Sequence, residues 1–219
     1  MSRDMQIELA PENDTANTVM QADPWKNTTP RRPRILGIGG TMRPCSTTER
    51  MVRLALNVAE SAGAQTMLFG GGDLDFPHYV GPHVESNDPR VSRFVDAVRH
   101  CDGLIVGSPA YHGSISGLLK NALDYTEELR NDSRVYLDGL PMGCICCAGG
   151  WQAAVQTLTT LRSIAHALRA WPSPIGVVVN TSLPVFTADH QLSDKSIEHQ
   201  VRLMAQQVTT FASLNVGRA

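Results

Sequence analysis

The sequence predicts an α/β fold, a three-layer sandwich in which helices cover both faces of a five-stranded parallel sheet. Three observations predict it. Short apolar runs recur at 34–39, 65–69, 103–107, 142–147 and 175–180, as strands buried on both faces require. Segments with apolar residues at helical spacing separate these runs, the alternation of a doubly wound sheet with right-handed crossovers. The length of 219 residues suits one such domain with a tail.

Each element has its own signal. RILGIG at 34–39 ends in glycine and reads as a buried strand. A helix over 48–62 follows, with Met51, Ala55, Val58 and Ala62 on one side and Gly63 to close it. Residues 65–69 form the second strand. Residues 70–87, rich in Gly and Pro, read as a long irregular connection. Asp88 and Pro89 open the next helix as N-cap and first helical residue, and Val91, Val95 and Val98 line one face. GLIVG at 103–107 is the third strand. Ser116 caps a helix carrying Leu119, Leu123 and Thr126, and the stretch 118–129 has apolar residues on more than one side, which fits burial against another subunit. Residues 142–147 are the fourth strand, 152–169 a helix, IGVVVN at 175–180 the fifth strand. A last helix over 194–214 has Ile197, Val201, Met204, Val208 and Phe211 on one stripe. Residues 1–33, polar and punctuated by proline, read as an extension outside the main fold, partly disordered or an arm on a partner subunit, with residues 34–219 as the domain.

Composition narrows the function. A formal net charge of −2 gives no electrostatic footprint for nucleic acid or a membrane surface. No apolar run approaches the ~20 residues of a membrane span, and residues 1–33 lack a signal-peptide core. Of the five cysteines, the three in one apolar stretch, Cys144, Cys146 and Cys147, read as buried small hydrophobes, and the odd count and spacing argue against a disulfide framework or metal site. A cytoplasmic location is the expectation.

In an open parallel sheet, ligands bind beyond the carboxyl ends of the strands, where the strand order reverses. That directs attention to three loops. After the first strand comes Gly39-Gly40-Thr41-Met42-Arg43-Pro44-Cys45-Ser46-Thr47-Thr48. Free N–H groups at a helix start, hydroxyls on Thr41, Ser46, Thr47 and Thr48, and the Arg43 fork suit a phosphate monoester. A P-loop would need Gly-Lys-Ser/Thr, and a dinucleotide fingerprint would need glycine where Met42 stands. A plain capping box, Ser46-x-x-Glu49, also fits, and both readings can hold for one helix. After the third strand comes Pro109-Ala110-Tyr111-His112-Gly113-Ser114-Ile115-Ser116-Gly117, a turn against which a planar ring could pack. The bland reading is an ordinary loop, but this one shares the sheet end with the phosphate candidate. After the fourth strand, Gly149-Gly150 lets a backbone approach a ligand. Trp151 beside it could cover a ring, face a neighbouring subunit or sit in the core.

These motifs resemble the NADPH-dependent FMN reductase family of flavodoxin-like proteins. That family carries Gly-Ser-x-Arg-x-x-Ser after its first strand, matched by Gly40-Thr41-Met42-Arg43-Pro44-Cys45-Ser46. After its third strand it carries Pro-Glu-Tyr-Asn-x-Ser-x-Pro-Gly-x-Leu-Lys-Asn-x-x-Asp. Pro109-Ala110-Tyr111-His112-Gly113-Ser114-Ile115-Ser116-Gly117-Leu118-Leu119-Lys120-Asn121-Ala122-Leu123-Asp124 matches it, with Ala110 for Glu, His112 for Asn and Ser116 for Pro. The similarity spans about residues 34–180.

The resemblance implies a flavodoxin-like fold and an enzyme, an NAD(P)H:FMN oxidoreductase using FMN with NADPH or NADH. It places the FMN phosphate on Thr41, Arg43, Ser46 and Thr48, with Thr47 alongside. It places the isoalloxazine on Pro109, Ala110, Tyr111 and His112, with Gly113, Ser114, Gly149 and Gly150 adjacent. No residue is assigned as catalytic, because the cofactor carries the chemistry. His112 is either a group that tunes the flavin or delivers a proton, or a solvated loop histidine. The expected assembly is a homodimer or homotetramer. Reduced FMN would supply a partner monooxygenase. Alternatively it would stay bound and reduce a quinone, azo dye or metal ion. A flavodoxin-type electron carrier is disfavoured by Arg43 and the near-neutral charge, and a flavin-free response-regulator module by the lack of Asp or Glu in the three loops.

Overall fold

A computed structural model of the chain describes residues 31–43, 45–81 and 86–216. The sheet contains β1 (Arg34–Gly39), β2 (Gln65–Gly70), β3 (Gly103–Pro109), β4 (Pro141–Ala148), β5 (Trp171–Pro172) and β6 (Val177–Asn180). The helices are α1 (Thr47–Ser61), α2 (Pro89–His100), α3 (Gly117–Asp124), α4 (Trp151–Ala167) and α5 (Lys195–Asn215). All strand pairs are parallel, in the order β2-β1-β3-β4-β5, with β6 also on β4. This is the flavodoxin-like order, with its switch point between β1 and β3.

The fifth strand position is divided. β5 pairs with Pro141 and Met142 at the start of β4, and β6 pairs with Ile145–Ala148 at its end. The expected strand at 175–180 is thus β6, two residues shorter, and β5 is an addition. Pro172 and Pro174 have no N–H to give to a ladder. Ser173 fills the gap, its N–H on the Met142 carbonyl and its hydroxyl on the Ile175 carbonyl.

Side-chain alternation along the strands sorts the core into two layers. Leu36, Ile38, Leu104, Val106, Met142, Cys144 and Cys146 point to one face, packed by α2, α3 and α4 through Phe94, Leu119 and Leu161. Ile35, Ile105, Ile145, Cys147, Val177 and Val179 point to the other, packed by α1 and α5 through Met51, Val52, Val201 and Met204. Cys144, Cys146 and Cys147 are buried free thiols, as the sequence suggests, and Cys101 is buried as well. Burial pushes Cys101 up to about 11 and Cys144 and Cys147 up to about 12.

Three helix starts use the expected caps, and Asp194, read as the first residue of the last helix, proves to be its cap. Ser46, Asp88, Ser116 and Asp194 each accept a backbone N–H with their side chains. Hydrogen bonds from Arg90 to Asp88 and from Ser196 to Asp194 hold both carboxyls below their ordinary 3.8.

Two expectations change. The apolar stretch 118–129 is not one helix: α3 ends at Asp124 and Tyr125–Leu129 tightens into a 3-10 turn. Its second apolar side is covered within the chain. Tyr125 stacks edge-on against Phe76 and Tyr79, and Asn121 brackets the 77–79 backbone, donating to the Pro77 carbonyl and accepting from the Tyr79 N–H. This internal contact accounts for the apolar pattern there. The domain also begins before residue 34. Arg31 forms a two-pronged ion pair with Asp102 at 2.7 and 2.8 Å, Arg32 donates to the Gly63 and Ala64 carbonyls, and Pro33 is buried. The rest of the proposed extension, residues 1–30, lies outside the described residues.

Candidate functional site

The loops after β1 and β3 are locked together at the switch point. The Gly40 N–H donates to the Gly107 carbonyl at 2.8 Å, and the buried Ser116 hydroxyl donates to the Gly40 carbonyl at 2.6 Å while accepting the Leu119 N–H that starts α3. One serine thus caps a helix and ties two loops. A Cβ on Gly40 would lie 2.8 Å from the Leu119 Cβ and 3.1 Å from the Gly107 carbonyl oxygen, so glycine is required for this approach.

Between the loops lies a cleft of about 230 Å3, lined by Thr41, Arg43, Ser46, Thr47, Thr48, Pro109, Ala110, Tyr111, Cys147, Ala148, Gly149 and Thr181. All five phosphate-loop candidates line it, together with Pro109, Ala110, Tyr111 and Gly149. His112, Gly113, Ser114 and Gly150 do not. The reason is the turn at 111–114. Tyr111 and Ser114 exchange backbone hydrogen bonds of 3.0 Å each, which folds His112 and Gly113 away as the exposed tip. His112 sits at φ +52°, a left-handed conformation in which Asn, Asp and His are enriched among side-chain-bearing residues. His112 is thus a residue type suited to this backbone position.

The donor set at one end of the cleft suits a phosphate monoester. The Ser46 hydroxyl accepts from Glu49 N–H at 3.1 Å, so the capping reading holds and the hydroxyl proton stays available to an anion. Glu49 does not complete the reciprocal box; its carboxylate pairs with Arg53 at 2.9 Å. Thr47 and Thr48, the first two helical residues, donate their N–H groups to no described residue. Arg43 is exposed and makes no ion pair among the described residues. The lining contains no carboxylate. Cationic and dipolar donors without a competing acid are what a dianionic phosphate needs.

The rest of the cleft is built for a flat group. Pro109, Ala110, Tyr111 and Ala148 form an apolar wall, and a Cβ on Gly149 would meet nothing within 4 Å. Ala110 N–H is spent on the Cys147 carbonyl at 2.8 Å, so it holds the two loops together and offers no hydrogen bond to a ligand. At about 230 Å3 the cleft is smaller than the ~300–1,000 Å3 of sites that engulf a drug-sized ligand. A flavin anchored here by its phosphate would stand partly out of it, with one ring face open. Cys147, Ala148 and Thr181 are additions to the sequence reading. Thr181 follows β6, and its N–H donates to the Ala148 carbonyl at 2.7 Å. The strand-end rule applied to the fifth strand would have found it.

Comparison with known proteins bears on this cleft. The model of the family described as NADPH-dependent FMN reductase matches residues 33–183. An FMN-dependent NADPH-azoreductase of Staphylococcus aureus is 30% identical over 148 residues, covering 64% of this chain and 71% of the relative. The corresponding protein of Staphylococcus haemolyticus is 28% identical over the same shares. Among solved structures, the flavoenzyme NAD(P)H:(acceptor) oxidoreductase FerB of Paracoccus denitrificans has a similar fold, with a TM-score of 0.65 at 18% identity, covering 82% of this chain and 98% of that one.

Proposed function

The chain belongs to the NADPH-dependent FMN reductase family, as an NAD(P)H:FMN oxidoreductase using FMN and NADPH, and from that premise we propose that FMN sits in the cleft between the loops after β1, β3 and β4 and that electrons leave it to an azo or quinone acceptor. The observation that carries the site is the convergence of two loops some 70 residues apart in sequence on one cleft with phosphate donors at one end and an apolar wall at the other.

Thr41, Ser46 and Thr48 hydroxyls, the Thr47 and Thr48 N–H groups and Arg43 would hold the phosphate. Pro109, Ala110, Tyr111 and Gly149 would seat the ring. Bound there, FMN supplies hydride acceptance and electron donation. The chain's part is to fix the ring against the Pro109–Tyr111 wall, keep one face open to the nicotinamide, and set the approach distance. His112 and Gly113 N–H groups, at the exposed tip of the turn, reach the site only if the ring extends past Tyr111. The His112 side chain then acts at the entrance, not the floor.

The acceptor reading draws on the azoreductase relatives. Self-association is part of it: Trp151 and Val155, one turn apart on α4, are both about half exposed, at 49% and 51%. A homodimer or homotetramer in solution would cover them. The test is the visible spectrum of the purified protein, followed by anaerobic NADPH and then an azo dye. Flavin absorbance that survives gel filtration, bleaches with NADPH and returns with the dye supports the reading. Flavin lost on gel filtration, with NADPH oxidation sustained only by added FMN, turns it to the supply of a partner monooxygenase. A protein that does not bind FMN overturns the site.

A further inference from the structure

A second cleft, of about 500 Å3, opens one helical turn along α1 from the phosphate nest. The two share a wall: Arg43 and Ser46 line the first and Cys45 the second, and the Arg50 N–H donates to the Ser46 carbonyl at 3.0 Å. The far side of the second cleft comes from the segment after β6. There Phe186 and Leu192 pair across a turn, and His190 N–H and Gln191 N–H both bond back to Thr187.

This turn holds Arg50 in a set orientation. The guanidinium lies 3.5 Å over the Phe186 ring, and its Nη2 is 3.4 Å from His190 Nδ1. An Nδ1 that accepts from Arg50 goes with the tautomer whose proton is on Nε2, which would leave that nitrogen as a donor. The carboxylates nearby are engaged elsewhere: Glu49 by Arg53, and Glu198, which lines the cleft, by Lys195 at 2.8 Å and Arg202 at 3.5 Å. Arg50 makes no ion pair among the described residues. A stacked, planar guanidinium lacking a carboxylate partner and flanked by a histidine donor is suited to the oxygens of a phosphate monoester.

We infer that this cleft receives the adenosine end of NADPH, with Arg50 and His190 on the 2′-phosphate that distinguishes it from NADH. The inference rests on the reductase reading, which requires a nicotinamide over the flavin cleft. A dinucleotide that serves both clefts would lie across the wall they share at Arg43, Cys45 and Ser46. Arg50 and His190 then choose the nucleotide and take no part in hydride transfer.

The test measures kcat/KM for NADPH and for NADH on the flavin-loaded protein and on the variants Arg50→Gln, Arg50→Lys and His190→Gln. The NADPH-to-NADH ratio is expected to fall about 10- to 100-fold in Arg50→Gln, through the KM for NADPH, the worth of one charge-assisted contact. Arg50→Lys should keep part of the preference and His190→Gln should lose part. Calorimetry with 2′,5′-ADP and 5′-ADP should show tighter binding of the 2′-phosphorylated probe, with the difference gone in Arg50→Gln. A ratio unmoved in Arg50→Gln, or equal binding of the two probes, overturns the inference. Wild-type protein that oxidises neither nucleotide refutes the reductase reading instead, and the calorimetric comparison still judges the cleft. If Arg50→Gln does not fold, as read by circular dichroism, the ratio in His190→Gln, a residue outside any helix, decides.

Discussion

Replacing Gly40 by alanine tests the junction on which the flavin cleft depends. The new Cβ would stand 2.8 Å from Leu119 Cβ and 3.1 Å from both the Gly107 carbonyl oxygen and the Ser116 hydroxyl. Two of these three neighbours are main chain or the first side-chain atom of a buried helical residue, so neither swings away by a rotamer change, and the third, the Ser116 hydroxyl, can turn away only by giving up its bond to the Gly40 carbonyl. Relief must come from moving the loop after β1 off α3, which stretches the 2.6 Å bond from Ser116 to the Gly40 carbonyl and the 2.8 Å bond from Gly40 N–H to Gly107. Overpacking of this kind costs about 1–3 kcal/mol. For a domain of this size that is a fall of roughly 2–12 °C in Tm. Because the same movement shifts Thr41 and Arg43, FMN affinity should fall with stability. Gly117→Ala is the matched control. A Cβ at Gly117 meets nothing within 4 Å, at the first position of α3, so that change should be neutral or stabilising by about 0.4–1 kcal/mol. Thermal melts read the first quantity, and quenching of flavin fluorescence reads the second. A Gly40→Ala protein that melts and binds FMN like the wild type would refute the reasoning.

Three further outcomes follow from the same geometry. Arg43→Gln should weaken FMN binding about 10- to 100-fold while binding of riboflavin, which lacks the phosphate, stays as it was; titration of the flavin-free protein with both ligands decides, and equal losses would remove Arg43 from the phosphate site. The Asp88 and Asp194 carboxyls titrate below their ordinary 3.8 when folded, so each stabilises the native state above that value and loses its contribution as pH falls through the lowered value. The advantage of wild type over Asp88→Asn and Asp194→Asn in urea midpoint should therefore be present at pH 6 and shrink below pH 4, and an advantage that grows on acidification contradicts the assignment. Among the five cysteines only Cys45 is exposed, and burial raises the other four thiols. Iodoacetamide at pH 8 should modify one site in the native protein and five after denaturation, as counted by mass spectrometry.

What was legible in the sequence was whatever one segment encodes by itself. Apolar runs gave the strand positions, because a strand covered on both faces must be apolar throughout. Ser46, Asp88 and Ser116 announced their helices, because a cap is a contact of two or three residues along the chain. Thr41 to Thr48 and Pro109 to Tyr111 were found because the strand-end rule converts chain order into location. The failures are the contacts that need the third dimension. The apolar excess of 118–129 signalled burial but not what covers it, since only the fold shows Phe76 and Tyr79 lying against Tyr125. β5 is a two-residue strand with a proline in it, too short to carry a period. No 2′-phosphate cradle could be read at all. Arg50 and His190 stand 140 residues apart, each an unremarkable residue in its own helix or loop, and Phe186 gives no hint that it lies beneath an arginine. A selectivity determinant assembled across the α1 and post-β6 segments has no local signature, so nucleotide preference in such a sheet is a property to be sought where its strand-end loops meet, and not in the motif that holds the flavin.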